Sequence, residues 1–147
     1  MKAKIFVLLL FSLSLLSCDP YILRVAIDDN GFEKSFNFEC GEVNLRCSVL
    51  ADRQVSTLLK FKLNSSVEIN PAHLEITHRG EILNSNISLN GTLLEETKNI
   101  NNDDKVRIII NRVVQSGDTL TVNIDNFIVC NGNPLEIGNI SLVFTPR

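Results

Sequence analysis

Tryptophan is missing from this 147-residue chain, and Tyr and Met occur once each. Histidine is nearly as scarce. His73 and His78 are the only imidazoles, and five residues of extended chain put them on opposite faces, so they do not share a metal. Each reads as a surface residue. Four Pro and seven Gly exclude a collagen-like or low-complexity chain. The signatures G-x-S-x-G, H-E-x-x-H, the Walker loop and G-x-G-x-x-G are all absent. Asp28-Asp29-Asn30-Gly31-Phe32-Glu33 has calcium-loop composition but fails the EF-hand register, which would put Ala26 first and Asn37 twelfth. Basic charge is also short. Without Lys2 and Lys4, twelve Lys and Arg face seventeen acids, a formal charge of −5. That balance argues against nucleic acid as a partner, since phosphate binding needs a clustered basic surface.

What the chain has in quantity is alternation. Leu59, Phe61 and Leu63 alternate with Lys60 and Lys62, which places both lysines on a solvent face. Val43, Leu45, Cys47 and Val49 alternate with Asn44, Arg46 and Ser48. The same period of two runs through Val106–Ile110, Leu120–Ile124 and Ile140–Phe144, with Gly and Pro between the runs. No stretch carries a helical stripe of useful length. These features predict an all-β fold, an antiparallel Ig-like β-sandwich of about nine short strands filling residues 21–147 as one domain. Along Leu120–Val129 the apolar phase changes from even to odd, which predicts a β-bulge near Asp125-Asn126. Glu95–Asp104, rich in Asn and acids, reads as an exposed loop. Its Glu95, Glu96, Asp103 and Asp104 form the candidate binding loop.

The N-terminus carries an address. Lys2 and Lys4 precede an apolar run from Ile5 to Leu16 of twelve residues, too short to span a membrane as a helix and right for a signal peptide over residues 1–17. Leu15-Leu16-Ser17-Cys18 resembles the bacterial lipobox. The resemblance covers residues 1–18. It implies cleavage before Cys18 and attachment of diacylglycerol and a further acyl chain, such as palmitate, to that residue. Two or three acyl chains anchor a protein durably, where one is marginal. Residues 18–20 then form the lipidated Cys and a short tether, and the domain sits close to the bilayer. The place implied is the bacterial cell envelope, the outer membrane favoured over the inner. Asp19 fits inner-membrane retention by the enterobacterial rule and surface export in Bacteroidota-like organisms, so the side of the membrane stays open.

With Cys18 acylated, Cys40, Cys47 and Cys130 remain, and one pair among them can bridge in an exported protein. A hairpin turning at Gly41-Glu42 would put Cys40 opposite Val43 and Cys47 opposite Phe36, too far apart to bond; a wider loop would reverse this. A bridge from either to Cys130 is equally allowed. C-x₆-C without a nearby His fits neither a zinc site nor a redox motif.

No acid, base, nucleophile or metal set converges in the sequence, and no cofactor is expected. The expectation is a non-enzymatic binding or structural role, adhesin-like or as an envelope-complex subunit, with a protein or glycan partner. An envelope inhibitor or chaperone-like accessory factor is the alternative, and a hydrolase using paired carboxylates comes third. The short tether and the repulsion of acids by anionic headgroups both place Glu95–Asp104 away from the membrane.

Overall fold

The computed structural model describes residues 23–146. The expected signal peptide, Cys18, the expected tether and the first two residues of the expected domain, Tyr21 and Ile22, lie outside the described residues. From Leu23 onward the chain is all-β, and every strand pairing is antiparallel. The one helical turn among the described residues is the 3₁₀ segment Pro71–His73, whose N-cap Asn70 accepts from the Ala72 N–H.

Three sheets form. The largest orders β2 (Glu33–Phe38), β3 (Gly41–Val49), β4 (Val55–Leu63), β11 (Lys105–Ile110), β8 (Ser85–Leu89) and β9 (Thr92–Leu93) side by side. A five-stranded sheet orders β1 (Leu23–Ile27), β15 (Asn139–Pro146), β12 (Thr119–Asn123), β6 (Glu75–His78) and β7 (Glu81–Ile82). A small sheet orders β10 (Lys98–Ile100), β5 (Val67–Ile69), β13 (Ile128–Cys130) and β14 (Asn133–Pro134). Fifteen strands stand where alternation marks about nine. The extra ones are pieces of two or three residues, too short to show a period. Several flank tight turns such as Asn90-Gly91 and Asn131-Gly132, where φ is positive at both positions as a type I′ hairpin requires.

The small sheet links the two larger ones. The chain leaves the six-stranded sheet at Leu63, passes through β5 and enters the five-stranded sheet at Glu75; a second passage, through Ile124–Phe127, carries it from β12 of the five-stranded sheet to β13 of the small sheet. That second passage corrects the expected bulge. Asn126 sits at φ 63, Phe127 fills the core from the turn, and Ile128 and Cys130 face inward while Val129 does not. The change of phase marks a strand changing sheets.

Side chains from all three sheets merge into one apolar core, including Leu45, Leu59 and Ile108 from the largest, Leu120 and Phe144 from the second, and Ile69 and Ile128 from the small one. Each such side chain stabilises the fold by roughly 1.5–3 kcal/mol relative to exposure. The Glu39-Cys40 turn requires the glycine that follows it. Gly41 sits at φ 139, and a Cβ there would lie 2.0 Å from the Lys62 carbonyl oxygen.

Register distinguishes the two ends of the five-stranded sheet. Leu23 pairs with Pro146, Thr119 with Val143 and Thr121 with Thr77, so chain entry, the start of β12 and the β6–β7 turn share one end. Asn123, Asn139 and Glu75 mark the opposite end, where the chain passes into the small sheet.

Candidate binding surface

The outer face of the six-stranded sheet is where the fold gathers charge. Inward positions on β3, β4 and β11 are apolar save Thr57, so most of their alternate residues face outward. Register then aligns these outward residues across strands. Lys60 lies directly opposite Lys105, while Arg46 and Arg107 occupy one row on either side of Leu58. Lys62 is two residues beyond Lys60 and opposite Glu42. Five of the twelve Lys and Arg that follow Cys18 thus share three adjacent strands of one face, all exposed. The Lys62 ammonium reaches Glu42 at 3.6 Å. Among the described residues Arg46, Lys60, Lys105 and Arg107 have no ion pair.

Two shallow concavities flank the lysine pair. One, of about 240 Å³, is lined by Glu33, Glu42, Asn44, Arg46, Lys60 and Lys62. The other, of about 440 Å³, is lined by Ser88, Asn90, Gly91, Asp103, Lys105 and Arg107. At the sheet edge the Arg46 guanidinium stacks 5.1 Å from the centre of the half-exposed Phe32 ring. Strand by strand, the outward cations were visible in the alternation; what sequence reasoning missed is that register collects them.

Glu95–Asp104, expected as one loop, is partly strand. Lys98–Ile100 forms β10 against β5, and Ile100 enters the core. A single apolar residue among polar ones has no period to read. Glu95, Glu96 and Asp103 are exposed, but Asp104 is engaged internally. Its Oδ1 accepts from Asn90 Nδ2 at 2.7 Å and its Oδ2 from the Asn101 N–H at 2.8 Å, and the Asn101 N–H and Asn90 amide hold its carboxyl below the usual range. Asn102 is likewise tied to the backbone of Leu63, which it bonds on both its amide oxygen and its amide nitrogen. The segment is a pinned turn.

His78 is buried, not superficial. It sits inside the end of the five-stranded sheet, its Nε2 3.2 Å from Asp118 Oδ1 but misaligned for a hydrogen bond. Asp118 Oδ2 accepts from the Gln115 N–H at 2.8 Å. That bond holds the Asp118 carboxyl below its ordinary value, against burial and with help from the charges of His78 and Arg112. His73 is exposed on the 3₁₀ turn, and no group of three or more His, Cys, Asp or Glu among the described residues is arranged to hold a metal.

Cys40 and Cys130 form a disulfide with Cα atoms 5.8 Å apart. The register assumed for the first hairpin is corrected: Phe36 pairs with Val43 and Phe38 with Gly41, so the turn is Glu39-Cys40 and Cys40 projects toward the small sheet. Cys47 is buried opposite Thr57, its sulfur 3.2 Å from the hydroxyl. Burial pushes its thiol up to about 11, with the Thr57 contact opposing, so it carries almost no thiolate at neutral pH.

No protein-family model, curated protein or solved structure matches this chain.

Proposed function

We propose that this is a lipid-anchored protein of the bacterial cell envelope with a non-enzymatic binding role, adhesin-like or as a subunit of an envelope complex. Its two larger sheets act as an Ig-like β-sandwich that holds the outer face of the six-stranded sheet out as the contact surface. The observation that carries the reading is the row of exposed, unpaired cations on that face, a feature useful for capture and unneeded for folding. The lipobox-like Leu15-Leu16-Ser17-Cys18 supports the anchor. The Cys40–Cys130 bridge supports export, since such crosslinks persist outside the reducing cytosol. Anchoring and capture together fit a module that keeps a partner at the envelope, the outer membrane being the favoured place.

The test is Cys18→Ser in the full chain, followed by fractionation and acyl labelling in cells. The expected result is loss of acyl label and failure of signal-peptide cleavage at residue 18. Unchanged processing and unchanged detergent dependence would overturn the anchor.

A further inference from the structure

The six-stranded face carries a feature that folding alone does not explain. Cross-strand neighbours of like charge oppose folding, and pairs of opposite sign are the usual arrangement. Here Lys60 faces Lys105 in the middle of the sheet, with Arg46 and Arg107 in the next row; Glu33 stands opposite Arg46 in register, yet among the described residues no acid comes within ion-pair distance of any of the four. Strands lie about 4.8 Å apart and alternate residues about 6.8 Å apart along a strand, so the four cations fall within a patch of roughly 10 by 10 Å. From this patch we infer that the outer face of β3, β4 and β11 is a binding site for a linear anionic glycan, one bearing sulfate or carboxylate on successive sugars. The inference rests on the binding-module reading and names its ligand.

Three observations select this occupant. Protein interfaces place apolar and aromatic anchors at the centre and deplete charge there, whereas this centre is charged and its large exposed apolar residues, Phe32 and Leu93, stand at the two edges. Single-stranded nucleic acid needs aromatic platforms for its bases. The middle strands offer none on this face, where Leu58 lies half-buried between Arg46 and Arg107 and Ile109 half-buried one row beyond. A hydrated polysaccharide needs cations for its acids and small polar groups for its hydroxyls. Asn44, Ser88 and Asn90 supply the latter from the two concavities beside the lysine pair. Glu33 and Glu42 on one flank and Asp103 on the other border the strip and confine a polyanion to its middle.

The probe is heparin, a sulfated glycan, with the mature protein in detergent. Four cations that neutralise acids of the glycan and release its condensed counterions predict binding that falls about a hundredfold between 50 and 200 mM salt. Lys60→Gln with Lys105→Gln should halve the slope of log affinity against log salt. Arg24→Gln with Arg79→Gln, two exposed cations elsewhere, should leave the slope unchanged. The proposal is overturned if the control pair weakens binding as much as the face pair, or if the face pair changes nothing. It is equally overturned if anionic phospholipid vesicles, an acidic protein or single-stranded DNA bind better than heparin through these same residues. Circular dichroism and the melting temperature of each variant separate lost binding from lost fold. The Cys18 experiment reads the anchor alone, so failure of the anchor and failure of the glycan site are distinguishable.

Discussion

Lys60 on β4 and Lys105 on β11 are direct cross-strand partners, two ammonium-bearing side chains side by side on a solvent face. The pairing costs stability, roughly 0.2–1 kcal/mol by the usual scale of cross-strand pairs. Lys105→Glu replaces repulsion by attraction and should raise the denaturant midpoint, while weakening heparin binding. A residue kept for the fold would show the opposite sign. Urea denaturation alongside binding measures both effects on one variant.

The Cys40–Cys130 bridge closes a span of 90 residues between the first hairpin and the small sheet. Chain-entropy reasoning assigns such a loop about 4 kcal/mol of stability. Replacing both cysteines by Ser should therefore lower stability by about 2–5 kcal/mol, read by denaturant unfolding without reductant. Cys47 should behave differently. With its thiol pushed up to about 11 and its side chain buried, it should resist a maleimide at pH 7 in the folded protein and react once the chain unfolds.

The long strands were legible because one face of each is buried. Val43–Val49, Leu59–Leu63, Val106–Ile110 and Ile140–Phe144 all fall in strands of the structure, as does Leu120–Ile124 up to Asn123. Pieces such as Glu81–Ile82 and Thr92–Leu93 were hidden because two residues carry no period and are exposed. The apolar phase along Leu120–Val129 was correctly seen to shift, yet a bulge and a passage between sheets alter phase alike. The cationic face was least legible. Lys60 and Lys105 are far apart in sequence, and only the pairing of β4 with β11 brings them together. Net charge concealed the cluster, since acids gather elsewhere: Glu68, Glu95, Glu96, Asp104, Asp125 and Glu136 lie on the small sheet and its connections.

Asp118 ties the segment before β12 to β6 through Gln115 and His78. Its carboxyl is depressed below the ordinary value, so the stabilisation it gives is present above about pH 4 and lost as pH falls through the lower native value. Asp118→Ala removes the acceptor of the Gln115 N–H and should cost about 1 kcal/mol at pH 7. Below that native value the variant and the parent should converge, since the parent has by then lost the charge. Melting temperatures measured from pH 7 down to pH 2 would show the two curves closing; parallel curves would assign the loss to packing.

With acylation at Cys18 as proposed, chain geometry decides which end of the domain faces the bilayer. Five Cα steps separate Cys18 from Leu23, a reach of at most about 18 Å even when fully extended. Leu23 shares its end of the five-stranded sheet with Thr119, and the Gly117 N–H donates to the Phe144 carbonyl at the same end. Arg24, Arg53, Arg79 and Arg112 stand at this end against Asp52, Glu81 and Asp118, a small basic excess, for the Arg53 carbonyl accepts from Val114 and Asp118 joins the same segment to His78. The acids of the small sheet occupy the opposite end, where repulsion from anionic headgroups is least. Ser116, beside Gly117, marks the chain-entry end. In membrane-bound protein a membrane-impermeant maleimide should label Asp103→Cys readily and Ser116→Cys several-fold more slowly. Detergent should bring the two rates together, because both positions are exposed on the domain itself. Equal rates before detergent would mean that the domain turns freely about its tether, and the basic end would then have no fixed place against the headgroups.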